Sequence, residues 1–171
     1  LVGSEMCIRD RCIPQGGNTG LVGGQIPFNK DHIVISLERL NKIREINPTD
    51  QSVTVEAGLI LSDLQKKCEE NNLIFPLSLA SEGSCSLGGN IASNAGGVAV
   101  LYYGNTRELV MGLEVVLSDG SIINNLKTLI KDNTGYSIKD LFIGSEGTLG
   151  VITAATLKVF PKPKRQSQDS I

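Results

Sequence analysis

The sequence has few aromatic residues, no tryptophan, one histidine and no long apolar run. Aromatic residues make up 4% of the 171 residues, and no stretch reaches the roughly 18 apolar residues that a membrane-spanning helix needs. No basic start followed by an apolar segment marks a signal peptide. Hydrophobic residues at 40% and charged residues at 20% are ordinary for one globular domain. We therefore expect a single soluble, cytoplasmic domain without a membrane span.

The cysteines and the charged residues favour neither a metal site nor a nucleic-acid partner. The four cysteines form no CxxC pair, and His32 is the only histidine, so no zinc ligand set arises from near neighbours. We expect the cysteines to be reduced thiols. The formal net charge is −2, and a basic cluster occurs only near the C-terminal end, at Lys158, Lys162, Lys164 and Arg165. Nucleic acid is therefore not an expected partner.

The periodicity of apolar residues predicts strands that are mostly joined as hairpins. Residues 32–37 form a β-rich run, and residues 43–58 contain two β-branched runs around a turn. Ile60, Leu64 and Cys68 recur at helical spacing, and residues 109–123 form a second hairpin pattern. The last strand is predicted over residues 150–160, with Pro161 and Pro163 ending it. This pattern indicates an α+β fold with a mixed or antiparallel sheet and flanking helices.

The two ends of the sequence differ from the rest. Residues 1–11, LVGSEMCIRDR, show neither helical nor strand periodicity, and we expect them to be either disordered or not native to the protein. Residues 162–171 are polar and contain proline, which is typical of a linker. The folded part is expected to be residues 12–161, a partial domain truncated at both ends.

Glycine is concentrated in three short segments. Thirteen of the 19 glycines lie within residues 16–24, 83–97 and 144–150, which we call the first, second and third glycine segments. Glycine allows positive φ angles and lets a ligand approach the backbone closely, so such loops can direct several N–H groups at one anion. A single glycine loop is more simply explained as a tight turn, but three similar loops favour a binding site.

The polar residues inside these segments are neutral hydrogen-bonding residues rather than lysines. They are Asn18, Thr19, Ser84, Asn90, Ser93, Asn94, Ser145 and Thr148. This chemistry is typical of a phosphate or pyrophosphate held by amides. The sequence contains no GxxxxGK[ST] motif and no GxGxxG after a strand, so neither a P-loop nor a Rossmann site is supported. The residues alone therefore predict an α+β domain that binds a pyrophosphate-bearing cofactor.

The three segments together resemble the FAD-binding domain of the p-cresol methylhydroxylase and vanillyl-alcohol oxidase superfamily. PQGGNTGLVGG is similar to the pyrophosphate loop of that family, and FPLSLASEGSCSLGGNIASNAGGVAVLYYG and LIKDNTGYSIKDLFIGSEGTLGVIT resemble its second and third flavin-binding segments. The branch that it resembles most contains D-2-hydroxyglutarate dehydrogenase, D-lactate dehydrogenase and glycolate oxidase. The resemblance covers about residues 12–163.

The resemblance implies a set of residues that bind FAD. They are Gly16, Gly17, Asn18, Thr19, Gly20, Gly24, Pro76, Gly83, Ser84, Gly88, Gly89, Asn90, Ser93, Asn94, Gly96, Gly97, Gly147, Gly150 and Ile152. Gln15 stands where many relatives carry arginine, and Ser93 where threonine is common. Some members attach FAD covalently through histidine, but His32 lies outside every motif, so non-covalent FAD is expected.

The resemblance also implies an activity for the whole enzyme. It would oxidise a D-2-hydroxy acid to the 2-oxo acid by hydride transfer to flavin N5, with reoxidation by an acceptor other than NAD. In that family a C-terminal cap domain carries the substrate carboxylate site, the metal and the base. We therefore expect no catalytic residue or metal ligand within these 171 residues, an inactive fragment, and a homodimer formed through regions outside it.

Two alternatives stay open at this stage. The domain could be a stand-alone module that binds another phosphorylated ligand, or a flavoenzyme similar to UDP-N-acetylenolpyruvoylglucosamine reductase. Several polar residues also have more than one interpretation. Asn133-Thr134-Gly135 could be a turn before a helix near Ser137, Tyr136 could lie in the core or near the flavin, and Glu146 could accept backbone amides or contact the cofactor. Lys131 and Asp132 are polar neighbours of this turn, and Glu82 is interpreted as a loop charge.

Overall fold

The computed structural model describes residues 11–129 and 132–163. The predictions made for residues 1–10, for Lys131 and for residues 164–171 lie outside these ranges. Within them the predicted α+β class is confirmed: a five-stranded antiparallel sheet is accompanied by two small strand pairs and five helices.

The strands and helices of the described residues alternate irregularly along the chain. The strands are β1 (Cys12–Gln15), β2 (Ile33–Ser36), β3 (Ile43–Asn47), β4 (Ser52–Glu56), β5 (Leu73–Ile74), β6 (Val110–Val116), β7 (Ile122–Asn125), β8 (Val151–Lys158) and β9 (Phe160–Pro161). The helices are α1 (Leu61–Glu70), α2 (Leu87–Ala92), α3 (Val100–Tyr103), α4 (Thr106–Leu109) and α5 (Lys139–Phe142).

Both predicted hairpins are present, and short polar side chains shape their turns. In the β3–β4 turn, Asn47 Oδ1 accepts hydrogen bonds from the amides of Thr49 and Asp50 at 3.1 and 3.0 Å. In the β6–β7 turn, Asp119 Oδ1 accepts from the amide of Ser121 at 2.9 Å. Asparagine and aspartate favour turns because their side chains reach backbone amides two or three residues ahead.

The central sheet has the order β3-β4-β8-β6-β7, so β8 lies in its middle. One face carries alternating buried residues such as Val53, Val55 and Leu157. Together with buried leucines of α1 and α2, they form a single hydrophobic core. Three residues were predicted to share one face of this helix. Ile60 is the N-cap of α1, and Leu64 and Cys68 are buried within the helix. This packing fixes α2 against the sheet and so determines where the second glycine segment lies.

The opposite face of the sheet carries an ion-pair network centred on Arg44. The Arg44 guanidinium donates to both carboxylate oxygens of Glu114 at 3.0 and 3.1 Å, and its Nε donates to Glu56 at 3.3 Å. Thr153 Oγ1 also donates to Glu114 at 2.8 Å. The network joins β3, β4, β6 and β8. The hydrogen bonds from Arg44 hold the pKa of Glu114 below its ordinary value.

The last predicted strand is divided in the structure. Strand β8 ends at Lys158, and Val159 donates its amide to Gln51 O at 2.9 Å. Phe160 and Pro161 then pair with β5 in a separate two-stranded ladder. The prediction of one continuous strand over residues 150–160 is therefore wrong, whereas the last strand does end at Pro161. Proline has no N–H to donate but is tolerated in an edge strand.

A parallel strand pair that the sequence did not predict precedes the sheet. Strands β1 and β2 pair in parallel, with Cys12 opposite Ile33 and Gln15 opposite Ser36. Parallel neighbours need a long crossover connection, and here the crossover is the loop that contains the first glycine segment. The two strands therefore fix both ends of this loop.

The thiols of the described cysteines are unpaired, as expected for reduced cysteines. Cys68 and Cys85 are buried and Cys12 is exposed. Burial raises the pKa of the Cys68 thiol to about 11, so this thiol stays protonated and behaves as a small hydrophobic group.

Replacing Arg44 with methionine should destabilise the protein at neutral pH by about 1–2 kcal/mol. The pKa of Glu114 is lower in the folded protein than its ordinary value of 4.5, so the pairing contributes stability above pH 4.5 and loses it as the pH falls through the folded-state pKa. Urea unfolding at neutral pH and at about pH 3 should therefore show a smaller effect in acid. The matched control is Lys66→Met, which breaks an exposed pair with Asp63. A pH-independent loss for Arg44→Met would contradict the assignment.

Candidate functional site

The three glycine segments meet around one cavity of about 340 Å³. Helix α2, which belongs to the second segment, lies along this cavity. The first segment contacts the N-terminal end of α2, and the third segment contacts its C-terminal end, as described below. The cavity is therefore built around a short helix whose two ends are held by different parts of the chain.

Ser86 connects the first segment to α2. It is the N-cap of the helix, is only 3% exposed, and its Oγ accepts hydrogen bonds from the amides of Gly89 and Gly17, both at 3.3 Å. The Gly17 bond joins residues 69 positions apart. A serine hydroxyl accepts two hydrogen bonds and donates one, so the O–H of Ser86 is still available to a ligand in the cavity that it lines.

Residues 16 and 17 must be glycine for the first segment to pack against Ser84 and Ser86. A Cβ on Gly16 would lie 2.3 Å from Ser86 Oγ, and one on Gly17 would lie 2.1 Å from the carbonyl oxygen of Ser84. Both distances are far shorter than a van der Waals contact. These glycines therefore allow the first segment to lie directly on the second, in addition to any role that they have toward a ligand.

The third segment is held against the C-terminal end of α2 by its backbone. The amide of Gly144 donates to Ile91 O at 3.1 Å, and the amide of Glu146 donates to Ala92 O at 2.9 Å. These bonds satisfy carbonyl groups that have no partner within the helix. Glu146 has a φ of 52°, in the left-handed region. The loop thus reaches the cavity with Glu146 at its rim.

Arg107 holds the residues that directly precede the third segment. Its guanidinium donates to the carbonyl oxygens of Asp140 at 2.9 Å and of Ile143 at 2.7 Å, and its backbone amide donates to Asn94 Oδ1 at 3.0 Å. Arg107 therefore ties the end of the second segment to the start of the third. No local sequence signal indicated this role.

Thirteen of the residues predicted to bind the cofactor line the cavity. They are Gly16, Gly17, Asn18, Thr19, Gly20, Gly24, Gly88, Gly89, Asn90, Ser93, Gly147, Gly150 and Ile152. The other six do not line it: Pro76, Gly83, Ser84, Asn94, Gly96 and Gly97. FAD contacts of all 19 stay predictions.

Some of the six residues away from the cavity have contacts that explain their identity. Asn94 accepts the amide of Arg107. A Cβ on Gly97 would lie 2.6 Å from Ser78 O, so this glycine permits a close backbone contact. A Cβ on Gly83 would meet no atom within 4 Å. The glycine-rich pattern therefore combined residues that face the cavity with residues that serve packing.

The cavity is also lined by residues outside the predicted set. They are Pro14, Val22, Gln25, Leu37, Leu79, Ser81, Ser86, Ala92, Ala95, Glu146 and Val151. Ser86 had a usable signal, because a serine directly before a helix is a typical N-cap. The apolar members had none, since nothing in the sequence distinguishes them from other apolar residues.

The walls of the cavity are almost uncharged. Among the described residues that line it, Glu146 carries the only charged side chain. The remaining polar groups are amides and hydroxyls, including Asn18, Thr19 and Ser93, although the Ser93 hydroxyl donates to Gly89 O at 2.8 Å. Hydrogen bonding to an anion would therefore come from neutral donors.

The remaining polar residues singled out in the sequence do not line the cavity. Tyr136 is 96% exposed, so it belongs neither to the core nor to the cavity wall. Thr134 donates its amide to Asp132 Oδ1 at 3.0 Å, which makes this segment a turn. Helix α5 follows at Lys139, and Ser137 Oγ donates to Asp140 at 2.6 Å near its start. His32 directly precedes β2 instead of lying within it.

In residues 11–129 and 132–163 no group of three or more His, Cys, Asp or Glu side chains could hold a metal ion. No helix in the same ranges is both long and apolar enough to span a membrane.

Residues 9–125 match the family described as the FAD binding domain. This range contains the first and second glycine segments. The third segment lies beyond it, so its assignment depends on the geometry described above.

Two relatives are both named D-2-hydroxyglutarate dehydrogenase, mitochondrial. The protein from Danio rerio is 52% identical over 151 residues, which cover 88% of this chain and 28% of the relative. The protein from Rattus norvegicus is 49% identical over 151 residues, with the same shares of 88% and 28%. The chain thus spans under a third of the length of these relatives.

Among solved structures, an alkyldihydroxyacetonephosphate synthase superposes with a TM-score of 0.84 and 25% identity, covering 96% of this chain and 32% of the synthase. The fold of the described residues is therefore shared with a larger protein.

The expectation of a cytoplasmic location is wrong. Both relatives named above carry the word mitochondrial in their names. The expectation depended on the lack of a recognisable targeting segment, and these names overturn it.

Gly17→Ala should abolish or strongly weaken FAD binding, whereas Gly83→Ala should have a much smaller effect. The new methyl group at residue 17 would lie 2.1 Å from Ser84 O, a backbone atom that cannot move independently, while the one at residue 83 would meet nothing within 4 Å. We expect at least a roughly 10-fold higher dissociation constant for Gly17→Ala, from a clash of more than about 1.4 kcal/mol. Titration of the apoprotein with FAD measures both. Equal effects would contradict the packing of the first segment.

Ser86→Ala should weaken FAD binding and lower stability by about 1–2 kcal/mol, because the amides of Gly17 and Gly89 both lose their acceptor. Ser86→Thr keeps the hydroxyl and should recover part of both losses. Thermal unfolding and FAD titration of the two variants measure the effects. An alanine variant with unchanged affinity would show that Ser86 does not organise the cavity.

Proposed function

This chain belongs to the family of FAD-binding domains, and on that premise we propose that it holds FAD without a covalent bond inside an enzyme that oxidises a D-2-hydroxy acid to the 2-oxo acid. The family match covers residues 9–125 of 171. It also confirms the resemblance carried by the glycine segments and the expected cofactor, FAD. The observation that carries the proposal is that all three segments meet at one cavity with uncharged walls apart from one carboxylate.

The residues of the cavity fit FAD. A pyrophosphate needs several hydrogen-bond donors, and residues 16–20 of the first segment, which line the cavity, carry backbone amides and the polar side chains of Asn18 and Thr19. Asn18 has a φ of 54°, a conformation that turns neighbouring amides toward one point. We therefore assign the pyrophosphate to the first segment, near Gly16–Gly20 and the O–H of Ser86.

The rest of the cavity suits a ligand that is partly apolar. Leu37, Leu79 and Val151 line it with Ile152, and apolar walls with a few placed polar groups are typical of sites for cofactors with aromatic rings. Bound FAD would accept a hydride from the substrate carbon. The residues of this chain would bind and orient the cofactor and would exclude water from its rings.

The activity of the whole protein is a proposal that goes beyond this domain. The two reported relatives are named for D-2-hydroxyglutarate, and we propose this acid first, with D-lactate and glycolate as the next candidates. We further propose an electron acceptor other than NAD and a homodimer formed through regions outside these 171 residues. The base and the substrate-binding groups are assigned to those regions as well.

The full-length protein should release FAD on denaturation, and its visible flavin absorbance should bleach when D-2-hydroxyglutarate is added under anaerobic conditions. Reduction removes the long-wavelength absorbance of oxidised flavin, and a covalent flavin would stay with the precipitate. Chromatography of the supernatant identifies the flavin. The L-enantiomer is the matched control. Absence of flavin in a protein that also fails to take up added FAD would favour the stand-alone phosphate-binding module, and bleaching by NADPH alone would favour the reductase-like alternative.

A further inference from the structure

The carboxylate of Glu146 is placed where a negative charge is unexpected. It carries the only charged side chain among the described residues that line the cavity, and the proposed ligand is itself an anion. Its side chain has no hydrogen-bond donor or ion-pair partner in residues 11–129 and 132–163. An unpaired carboxylate beside a pyrophosphate would repel it. The carboxylate must therefore face a different part of the ligand.

The positions of the two ends of α2 indicate which part this is. Ser86, at the N-terminal end, contacts the amide of Gly17, whereas Glu146 is bonded to Ala92 at the C-terminal end. Six helical residues separate these ends by about 9 Å, at 1.5 Å per residue. Glu146 Oε2 lies beside Gly24: a Cβ built on Gly24 would lie 3.6 Å from this oxygen. The carboxylate therefore lies beside Gly24, at the C-terminal end of the first segment, whereas the amides assigned to the pyrophosphate lie at residues 16–20 of that segment.

Glu146 is exposed, so water satisfies its carboxylate in the free protein; a carboxylate only accepts hydrogen bonds, so a ligand that displaces this water would have to offer a donor in its place. Phosphate oxygens are acceptors. In FAD, the donors nearest to the pyrophosphate are the sugar hydroxyls on either side of it, and the ring donors lie further away. We infer that Glu146 is a binding residue whose carboxylate accepts a hydrogen bond from a sugar hydroxyl of FAD, either on the ribityl chain or on the ribose. This inference rests on the proposed function.

The backbone at Glu146 supports a role for its side chain. A φ of 52° is unfavourable for glutamate and ordinary for glycine, which has no Cβ. Gly144 and Gly147, in the same loop, also have positive φ angles, 80° and 77°. Glu146→Gly therefore removes the carboxylate while it relieves the backbone. If the residue served only the loop, this change would be neutral or stabilising.

The test uses the full-length protein and its FAD dissociation constant. Glu146→Gln and Glu146→Gly should each weaken FAD binding by roughly 10-fold or more, the loss expected for one charge-assisted hydrogen bond. Glu146→Gly should do so with an unchanged or higher melting temperature. The matched control is Glu45→Gln, an equal charge change at an exposed position of β3, which should leave the dissociation constant within about 2-fold.

Two kinds of FAD analogue identify the hydroxyl: those that lack one hydroxyl of the ribose and those that lack one hydroxyl of the ribityl chain, with each hydroxyl removed in turn. The effect of removing the accepted hydroxyl should depend on Glu146. The analogue that lacks this hydroxyl should bind the wild type more weakly than FAD does, and the difference should be much smaller for Glu146→Gln. Such coupling with either kind of analogue supports the inference and assigns the sugar. Equal or tighter FAD binding by both Glu146 variants, or absence of coupling with both kinds of analogue, overturns it. Failure of the wild type to bind FAD at all would instead overturn the proposed function together with this inference.

Discussion

One buried serine hydroxyl holds the two principal walls of the cavity together. Ser86 is the N-cap of α2, and its Oγ accepts an amide from its own helix and an amide from the first glycine segment. Without this acceptor, the two part-buried N–H groups would both lose their partner, at a combined cost of about 1–2 kcal/mol. Because the first segment lies on the second without any side chain between them, few other groups could make this connection. The shape of the cavity therefore depends on the two hydrogen bonds that Ser86 Oγ accepts.

The elements with a local pattern could be predicted from the sequence. The Asn47 and Asp119 turns, the alternation around Val53 and Val55, and the spacing of Leu64 and Cys68 are all encoded within a few residues, and the corresponding hairpins and helix are present. The parallel pairing of β1 with β2 was not predicted, since each strand has only four residues. The resumption of pairing at Phe160 also depends on a distant partner, β5.

The composition of the site could be predicted in part. Glycine clustering identified the segments, but it could not distinguish Gly17, where an added Cβ would clash with Ser84, from Gly83, where an added Cβ would meet no atom within 4 Å. The sequence shows a glycine at both positions and does not indicate which of them needs to be glycine. The roles of Ser86 and Arg107 depend on partners 69 and 13 to 36 residues away. Such pairings are decided by the packing of α2 on the sheet and have no local signature.

The way the cavity is assembled also determines when it can exist. Its walls come from residues 14–25, 79–95 and 146–152, together with Leu37, and the Gly17 to Ser86 bond closes a loop of 69 residues. Closing so long a loop costs chain entropy that only later contacts recover. The cavity is therefore complete only in a chain whose distant segments are already packed together. A cofactor that binds there binds only the folded chain. A higher concentration of free FAD in a cell would therefore raise the free energy of unfolding of this protein.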